Sequence, residues 1–252
     1  MIQPKINVNF DFTMDSPKYW DGFWERNNGL GGGGCDPDSA SPMLQEYHRI
    51  LWSKQLPNGQ IMNLEKGSGS HYLYWNDFRF GSDSIIVSFR YKRYANMIES
   101  VKNTVDDYKS FLEGYLHKSS TIGGHIIFPR HQESINQTRG KNRLISDRWD
   151  LTLECIRRFY ENVESPLSKV LESDCGFFEL FEDFKGYVDF FFLQDCVSSD
   201  YKKVDIWQGK GDFSEEPLPK TVKEYLDFID RGLVFLEKRN ARIEEYCYKN
   251  NL

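Results

Sequence analysis

The sequence predicts an α+β fold, with a small mixed N-terminal part that contains a β-hairpin and a helix-dominated C-terminal part. Two patterns carry this prediction. Short apolar runs separated by glycine-containing turns recur in the first half, and apolar residues spaced by three and four dominate the second half. Hydrophobic residues make up 39% of the 252 residues and aromatic residues 15%, which is enough to bury a sizeable core. We therefore predict one domain over residues 1–252.

The N-terminal elements follow one another between residues 41 and 89. Ser41 and Pro42 have the residue types that cap and open a helix, and the helix continues through "MLQEYHRILW". The stretches "QIMNLE" and "HYLYW", joined by the turn "KGSGS", predict a β-hairpin. The run "DSIIVSF" at 83–89 predicts a further strand. The first part therefore mixes both kinds of element.

The C-terminal part is predicted to be mostly helical. One apolar stripe predicts a helix over about 94–116, and "GGHIIFP" at 123–129 predicts a short strand that ends at Pro129. Core-forming helix is predicted over the phenylalanine-rich residues 177–197. A last helix begins at about Thr221 and ends in the charged stretch "EKRNARIEEYCYKNN".

Another helix, predicted to begin near Ser146, carries charged residues on one face. Asp150, Glu154 and Arg158 follow one another at intervals of four, which predicts a ladder of ion pairs on the surface. Ser146 has the residue type of an N-cap, and acidic residues in a first turn complement the helix dipole. A short helix is also predicted to start at Ser165 and Pro166.

Composition narrows the class of protein. A net charge of −6 argues against a surface that binds nucleic acid as a whole, although it allows a local basic patch. The cysteines Cys35, Cys155, Cys175, Cys196 and Cys247 are odd in number and widely spaced, which argues against a disulfide framework and favours a reducing compartment. We expect no signal peptide, because residues 1–12 lack a basic segment followed by an apolar core, and no membrane span, because no apolar run reaches about 18 residues. These features predict a soluble, cytoplasmic protein.

The segment "GLGGGGCDPDSASP" at 29–42 contains four consecutive glycines. It lacks the Gly-Lys-Ser/Thr ending and the strand–loop–helix setting of a phosphate-binding loop. We predict a mobile loop over about residues 29–40.

The candidate site lies in a basic island at residues 130–158. Seven basic and four acidic side chains give this segment a charge of +3, which leaves −9 for the rest of the chain. Arginine side chains bind phosphate or carboxylate bidentately. The predicted ligands of an anion are Arg130, Asn136, Arg139 and Arg148, and the candidates for proton transfer are His131 and His125. His125, on the strand, fits a structural role as well, and these two histidines alone make a poor metal site.

Several stretches resemble a family of uncharacterised bacterial proteins that carry a domain of unknown function. They are "DPDSASPMLQEYHRILWSKQLPNG", "IGGHIIFP", "SINQTRG", "DRWDLTLECIRRFY", "FFELFEDFKGYVDFFFLQDCV" and, more weakly, "PKTVKEYLDFIDRGLVFLEKRNARI". The resemblance spans most of the chain and implies one fold unit. It implies no activity, and the glycine run at 31–34 does not match it.

Three functions are compatible with the basic island. The first is binding of a phosphate-bearing small molecule or nucleotide, with possible hydrolysis or transfer. The second is an interaction module that docks an acidic partner or a nucleic acid, and the third is a toxin-like ribonuclease that uses His131. The sequence leaves open whether the protein is an enzyme, which cofactor or ligand it uses, and its oligomeric state.

Overall fold

The computed structural model of the protein describes residues 5–21, 36–67, 72–85, 95–131, 135, 148–214 and 218–252. Its helices are α1 (Tyr19–Asp21), α2 (Pro37–Ala40), α3 (Pro42–Trp52), α4 (Ala95–Lys102), α5 (Tyr108–Ser119), α6 (Trp149–Tyr160), α7 (Ser168–Ser173), α8 (Cys175–Glu179), α9 (Phe184–Phe190) and α10 (Val222–Asn250). The strands are β1 (Glu65–Lys66), β2 (Leu73–Trp75), β3 (Phe78–Ser84) and β4 (His125–Pro129). Strands precede a helical C-terminal part, so the predicted α+β class is confirmed.

The four strands form one antiparallel sheet in the order β1-β2-β3-β4. The hairpin predicted between β1 and β2 is present, with Glu65 opposite Tyr74, although it is shorter than the apolar runs suggested. Strand β3 starts at Phe78 and ends at Ser84, so it includes the first two residues of the predicted 83–89 strand, and residues 86–89 of that prediction lie outside the described residues. β4 matches its prediction and pairs with β3, with Ser84 opposite His125.

The single helix predicted over 94–116 is two helices, α4 and α5. The break falls where the side chain of Asp107 accepts a hydrogen bond of 3.0 Å from the backbone N–H of Ser110. An aspartate in this position caps a new helix instead of continuing the old one. The predicted apolar stripe is therefore present, but a turn divides the helix that was predicted to carry it.

The phenylalanine-rich stretch forms two short helices, α8 and α9, and not the continuous helix that its spacing suggests. Glu182 takes a left-handed backbone conformation (φ 66°), and Asp183 then caps α9 by accepting from Gly186 N–H at 2.7 Å. A side chain at Gly186 would collide with the carbonyl oxygen of Phe181, which is why the turn needs glycine there. The core role is confirmed, since Phe177, Phe181 and Phe191 are fully buried.

The face of α6 that carries Asp150 and Glu154 is buried, so the predicted position of the ion-pair ladder on the surface is wrong. The predicted pair between Glu154 and Arg158 is present, with Arg158 Nε 2.8 Å from Glu154 Oε1, whereas Asp150 pairs with Arg148 instead. Asp150 is 0% exposed and Glu154 7% exposed. The chain around Trp207 covers this face, and the backbone N–H of Trp207 donates to Asp150 Oδ2 at 2.9 Å. Arg158 extends the same contact by donating to the Gly211 carbonyl at 2.9 Å. The helix begins at Trp149; Ser146 lies outside the described residues.

Helix caps agree with the sequence at both ends of the chain. Ser41 caps α3 by accepting from Leu44 N–H, and Thr221 forms a capping box with Glu224 at the start of α10. The short helix predicted from Ser165 begins three residues later, as α7. Residues 37–40 of the predicted mobile loop form α2, and the glycine run is not among the described residues. No described helix is both long and apolar enough to cross a membrane.

Candidate anion-binding site

The structure separates the predicted site residues into three places. His125 begins strand β4, whereas Arg130 and His131 follow the end of the same strand. Arg148 precedes α6, and Asn136 and Arg139 lie outside the described residues. A strand rises about 3.3 Å per residue, so His125 is more than 15 Å along the chain from His131. These residues therefore do not form one cluster.

His125 belongs to a buried polar network centred on Asp38. Its Nδ1 lies 2.9 Å from Asp38 Oδ1, and the hydroxyls of Ser82 and Ser84 donate to the two Asp38 oxygens at 2.5 and 2.8 Å. Burial alone raises the pKa of Asp38, but the charge and hydrogen bonds of His125, with those of the two serines, outweigh it. The pKa of Asp38 therefore lies well below its ordinary value of 3.8.

Helix α3 continues this network with His48 and Trp52. The indole N–H of Trp52 donates to His48 Nδ1 at 2.8 Å, and His48 Nε2 lies 3.0 Å from the Ser82 hydroxyl. Burial lowers the pKa of His48 well below 6.5, so its ring is neutral at pH 7. The acceptor role of Nδ1 places the ring proton on Nε2, which donates to Ser82. Every bond then runs in one direction, towards Asp38.

The Asp38 network has no room for a substrate. The cavity beside Asp38, His48 and Ser82 has a volume of about 10 Å³, which is at the lower limit for a single water molecule. Nε2 of His125 is buried and has no hydrogen-bond partner within the part of the chain that the structure describes. We assign the network a structural role, in which it holds α2 and α3 against the sheet.

Arg148 is likewise turned into the protein. Its side chain is 0% exposed, and its guanidinium forms a bidentate ion pair with Asp150. Nε donates to Oδ1 at 3.0 Å and Nη2 donates to Oδ2. The same guanidinium lies 5.4 Å from the ring centroid of Phe228. The charge of Arg148 is therefore matched by a carboxylate inside the fold.

At the far end of β4, two arginines converge on one tyrosine ring. The Arg130 N–H donates to the Arg79 carbonyl at 2.7 Å, which extends the β3–β4 ladder by one bond. The guanidinium carbons of Arg79 and Arg130 lie 3.8 and 5.8 Å from the ring centroid of Tyr72. Glycine at position 81 makes room for Arg130, since an added Cβ would lie 3.2 Å from its Cδ. Neither guanidinium has a carboxylate within 4 Å among the residues that the structure places.

His131 follows Arg130 and pairs with a buried carboxylate. Its Nε2 lies 2.9 Å from Asp174 Oδ1, with the His131 side chain 42% exposed and that of Asp174 6% exposed. Burial raises the pKa of Asp174, and the bond to His131 opposes this shift. Asp174 sits between α7 and α8, so the helical part of the fold orients the imidazole. In the described ranges, no three His, Cys, Asp or Glu residues gather closely enough to hold a metal ion.

Arg79 and Asp174 are the site residues that the sequence reading missed. Arg79 stands between Phe78 and Phe80 in a strand, where alternation turns it away from the buried Phe80. That alternation is the only local signal, and it does not reveal that β4 brings Arg130 alongside. Asp174 lies 43 residues after His131 in an unremarkable helical stretch.

Comparison with models of protein families gives a match. The profile of a family of unknown function, DUF6994, matches residues 6–243, which is most of the chain. The chain belongs to this family. The DUF6994 match confirms the family resemblance predicted from the sequence, and it includes Arg79, Arg130, His131 and Asp174. A bacterial origin stays a prediction. No curated protein and no solved structure matches the chain.

Proposed function

We propose that the protein binds a phosphate-bearing small molecule with Arg79 and Arg130, and that His131 transfers a proton to or from it. The observation that carries this proposal is the pair of guanidiniums over the Tyr72 ring, neither of which is matched by a carboxylate in the described structure. Two adjacent cations repel each other, and an anion between them relieves that repulsion.

The chemistry of the two side chains suits a phosphate group. Each guanidinium offers a planar fork of donors that fits two phosphate oxygens at once. The contact of the Arg79 guanidinium with the Tyr72 ring and the packing of the Arg130 stem over Gly81 restrict the two side chains before a ligand arrives, which reduces the entropy lost on binding.

His131 supplies the proton-transfer group. Asp174 fixes the orientation of its imidazole and stabilises the imidazolium when the ring is protonated. Such a histidine can protonate a leaving oxygen or take a proton from an attacking water, so hydrolysis or transfer of the phosphate-bearing group is the reaction class that we propose.

The test is calorimetric titration with inorganic pyrophosphate at low salt. We expect wild type to bind, and Arg130→Ala and Arg79→Ala each to weaken binding by about 10- to 100-fold, because a charge-assisted hydrogen bond contributes roughly 1.5–3 kcal/mol. Arg231→Ala is the matched control. Arg231 is exposed on α10 and has no ion pair to a described residue, so its loss removes the same charge without touching the site.

Equal affinities for wild type and all three variants would sink the proposal. If pyrophosphate fails to bind while a polyglutamate peptide binds in a salt-dependent and Arg130-dependent way, the arginines dock an acidic partner instead. Cleavage of RNA that disappears in His131→Ala would favour the ribonuclease function over a small-molecule substrate.

A further inference from the structure

Lys54 lies in an unusual setting, just beyond the end of α3. Its Nζ is 3.9 Å from the ring centroid of Phe192, 4.4 Å from that of Phe190, and 4.9 Å from that of Tyr246. One N–H donates to the Phe190 carbonyl at 2.5 Å. The Trp52 ring centroid lies 5.3 Å from Nζ as well. Nζ has no carboxylate within 4 Å in the described structure, so four rings and a carbonyl take the place of an ion pair.

A large open cavity adjoins this lysine. Its volume is about 1180 Å³, and Lys54, Pro57, Phe181, Phe190 and Phe192 contribute to its walls. The wall needs glycine at position 186, since a side chain there would collide with the Phe181 carbonyl and the ring of Pro57. Lys54 is half-buried and lines the cavity, so a small molecule in the cavity contacts its side chain.

The surroundings favour the neutral amine of Lys54. Burial lowers the pKa of Lys54 well below 10.5, and the positive charge of Arg239 acts in the same direction. The ring faces and Cys247 oppose this by favouring the cation. The other titratable groups that face the lysine or line the cavity are Tyr246, Glu182, Asp183, Lys185 and Asp189. A lysine that is desolvated beside a second cation is a stronger nucleophile at neutral pH.

We propose that Lys54 is a nucleophilic amine that forms a Schiff base with a small aromatic aldehyde entering this cavity. The Nζ lone pair attacks the carbonyl carbon and gives a carbinolamine. The carbinolamine then loses the aldehyde oxygen with the two amine hydrogens as one water, which leaves a C=N bond. The Phe190 carbonyl directs one N–H before attack, and the surrounding rings shield the imine from hydrolysis.

Competitive labelling of the wild-type protein tests this inference without any substitution. The protein is incubated with benzaldehyde and sodium cyanoborohydride at pH 7, and the alkylation of each lysine is followed by peptide mass spectrometry. Lys185 is the matched control in the same cavity, because its ion pair with Asp189 raises its pKa. We expect Lys54 to react at least tenfold faster than Lys185 and than Lys109 on α5.

A second measurement uses Lys54→Arg, which keeps a cation among the rings. It is expected to lose the dominant adduct and to leave the labelling of the other lysines unchanged. Labelling of Lys54 at or below the rate of Lys185 in wild type would overturn the inference, whether or not the variant folds. Pyrophosphate binding depends on other residues, so its outcome does not affect this test.

Discussion

Replacing Arg239 by methionine is expected to lower the free energy of unfolding by about 3–5 kcal/mol. Arg239 is fully buried on α10, and its guanidinium is bound by three backbone carbonyls. Nη1 donates to Gly123 O at 2.6 Å and to His125 O at 2.9 Å, and Nε donates to Phe191 O at 3.1 Å. One side chain thus ties the C-terminal helix to the start of β4 and to the aromatic core.

The size of this effect follows from what the substitution leaves behind. Methionine fills a similar length but donates no hydrogen bond, so three buried carbonyls lose a partner at about 1–3 kcal/mol each. Part of that loss is offset, because burial disfavours the charged guanidinium and lowers the pKa of Arg239 to about 9. The Arg239 side chain is still a cation at pH 7, and the carbonyl oxygens that accept its hydrogen bonds stabilise this buried charge.

Arg242→Met on the same helix is the control for Arg239→Met. The Arg242 side chain is 43% exposed, and its ion pair with Asp195 is of the surface kind that contributes at most about 1 kcal/mol. Urea unfolding followed by circular dichroism compares the two variants at matched helix propensity. Similar urea midpoints for the two variants would show that the three carbonyls find other partners. Arg239 would then not stabilise the contact of α10 with β4 and the aromatic core.

Arg239 also shows the limit of what the sequence alone predicts. The stretch "EKRNARIEEYCYKNN" suggests a charged, solvated helix end, yet Arg239 continues the buried stripe of Leu236 and Ile243. Spacing alone places Arg239 on the apolar face, so the position could have been inferred. Its acceptors could not, because Gly123 and His125 are more than 110 residues away and meet it only through tertiary packing.

The candidate site likewise combines residues that the sequence predicts with residues that it does not. Arg130 and His131 were predicted from a local pattern, a polar loop that follows a strand. Arg79 joins Arg130 only because β3 pairs with β4 in one register, and Asp174 reaches His131 only because α8 packs against β3 through Phe177. The caps at Ser41 and Thr221 depend on neighbouring residues and were predicted, whereas the caps at Asp107 and Asp183, which interrupt two predicted helices, were not. The pairing of charges depends on register and packing, which one sequence does not reveal.

Asp38 is the second residue whose replacement is expected to have a large effect. Asp38→Asn leaves the shape of the side chain almost unchanged but puts an NH₂ group where Ser84 or His125 now donates. We expect a loss of about 2–4 kcal/mol at pH 7, because a buried donor is left facing a donor. Thermal or urea unfolding at pH 7 measures it.

The pH dependence of that difference identifies the charge of Asp38 as its source. The pKa of Asp38 in the folded protein lies below 3.8, so its ionised form stabilises the fold fully above pH 3.8. That contribution is lost as the pH falls through the folded pKa, and the gap between wild type and Asp38→Asn is expected to narrow below pH 4. Asp106→Asn, at an exposed position before α5, is the control and should change stability little at any pH. A gap that stays constant down to pH 3 would mean that shape, and not charge, makes Asp38 the centre of the network.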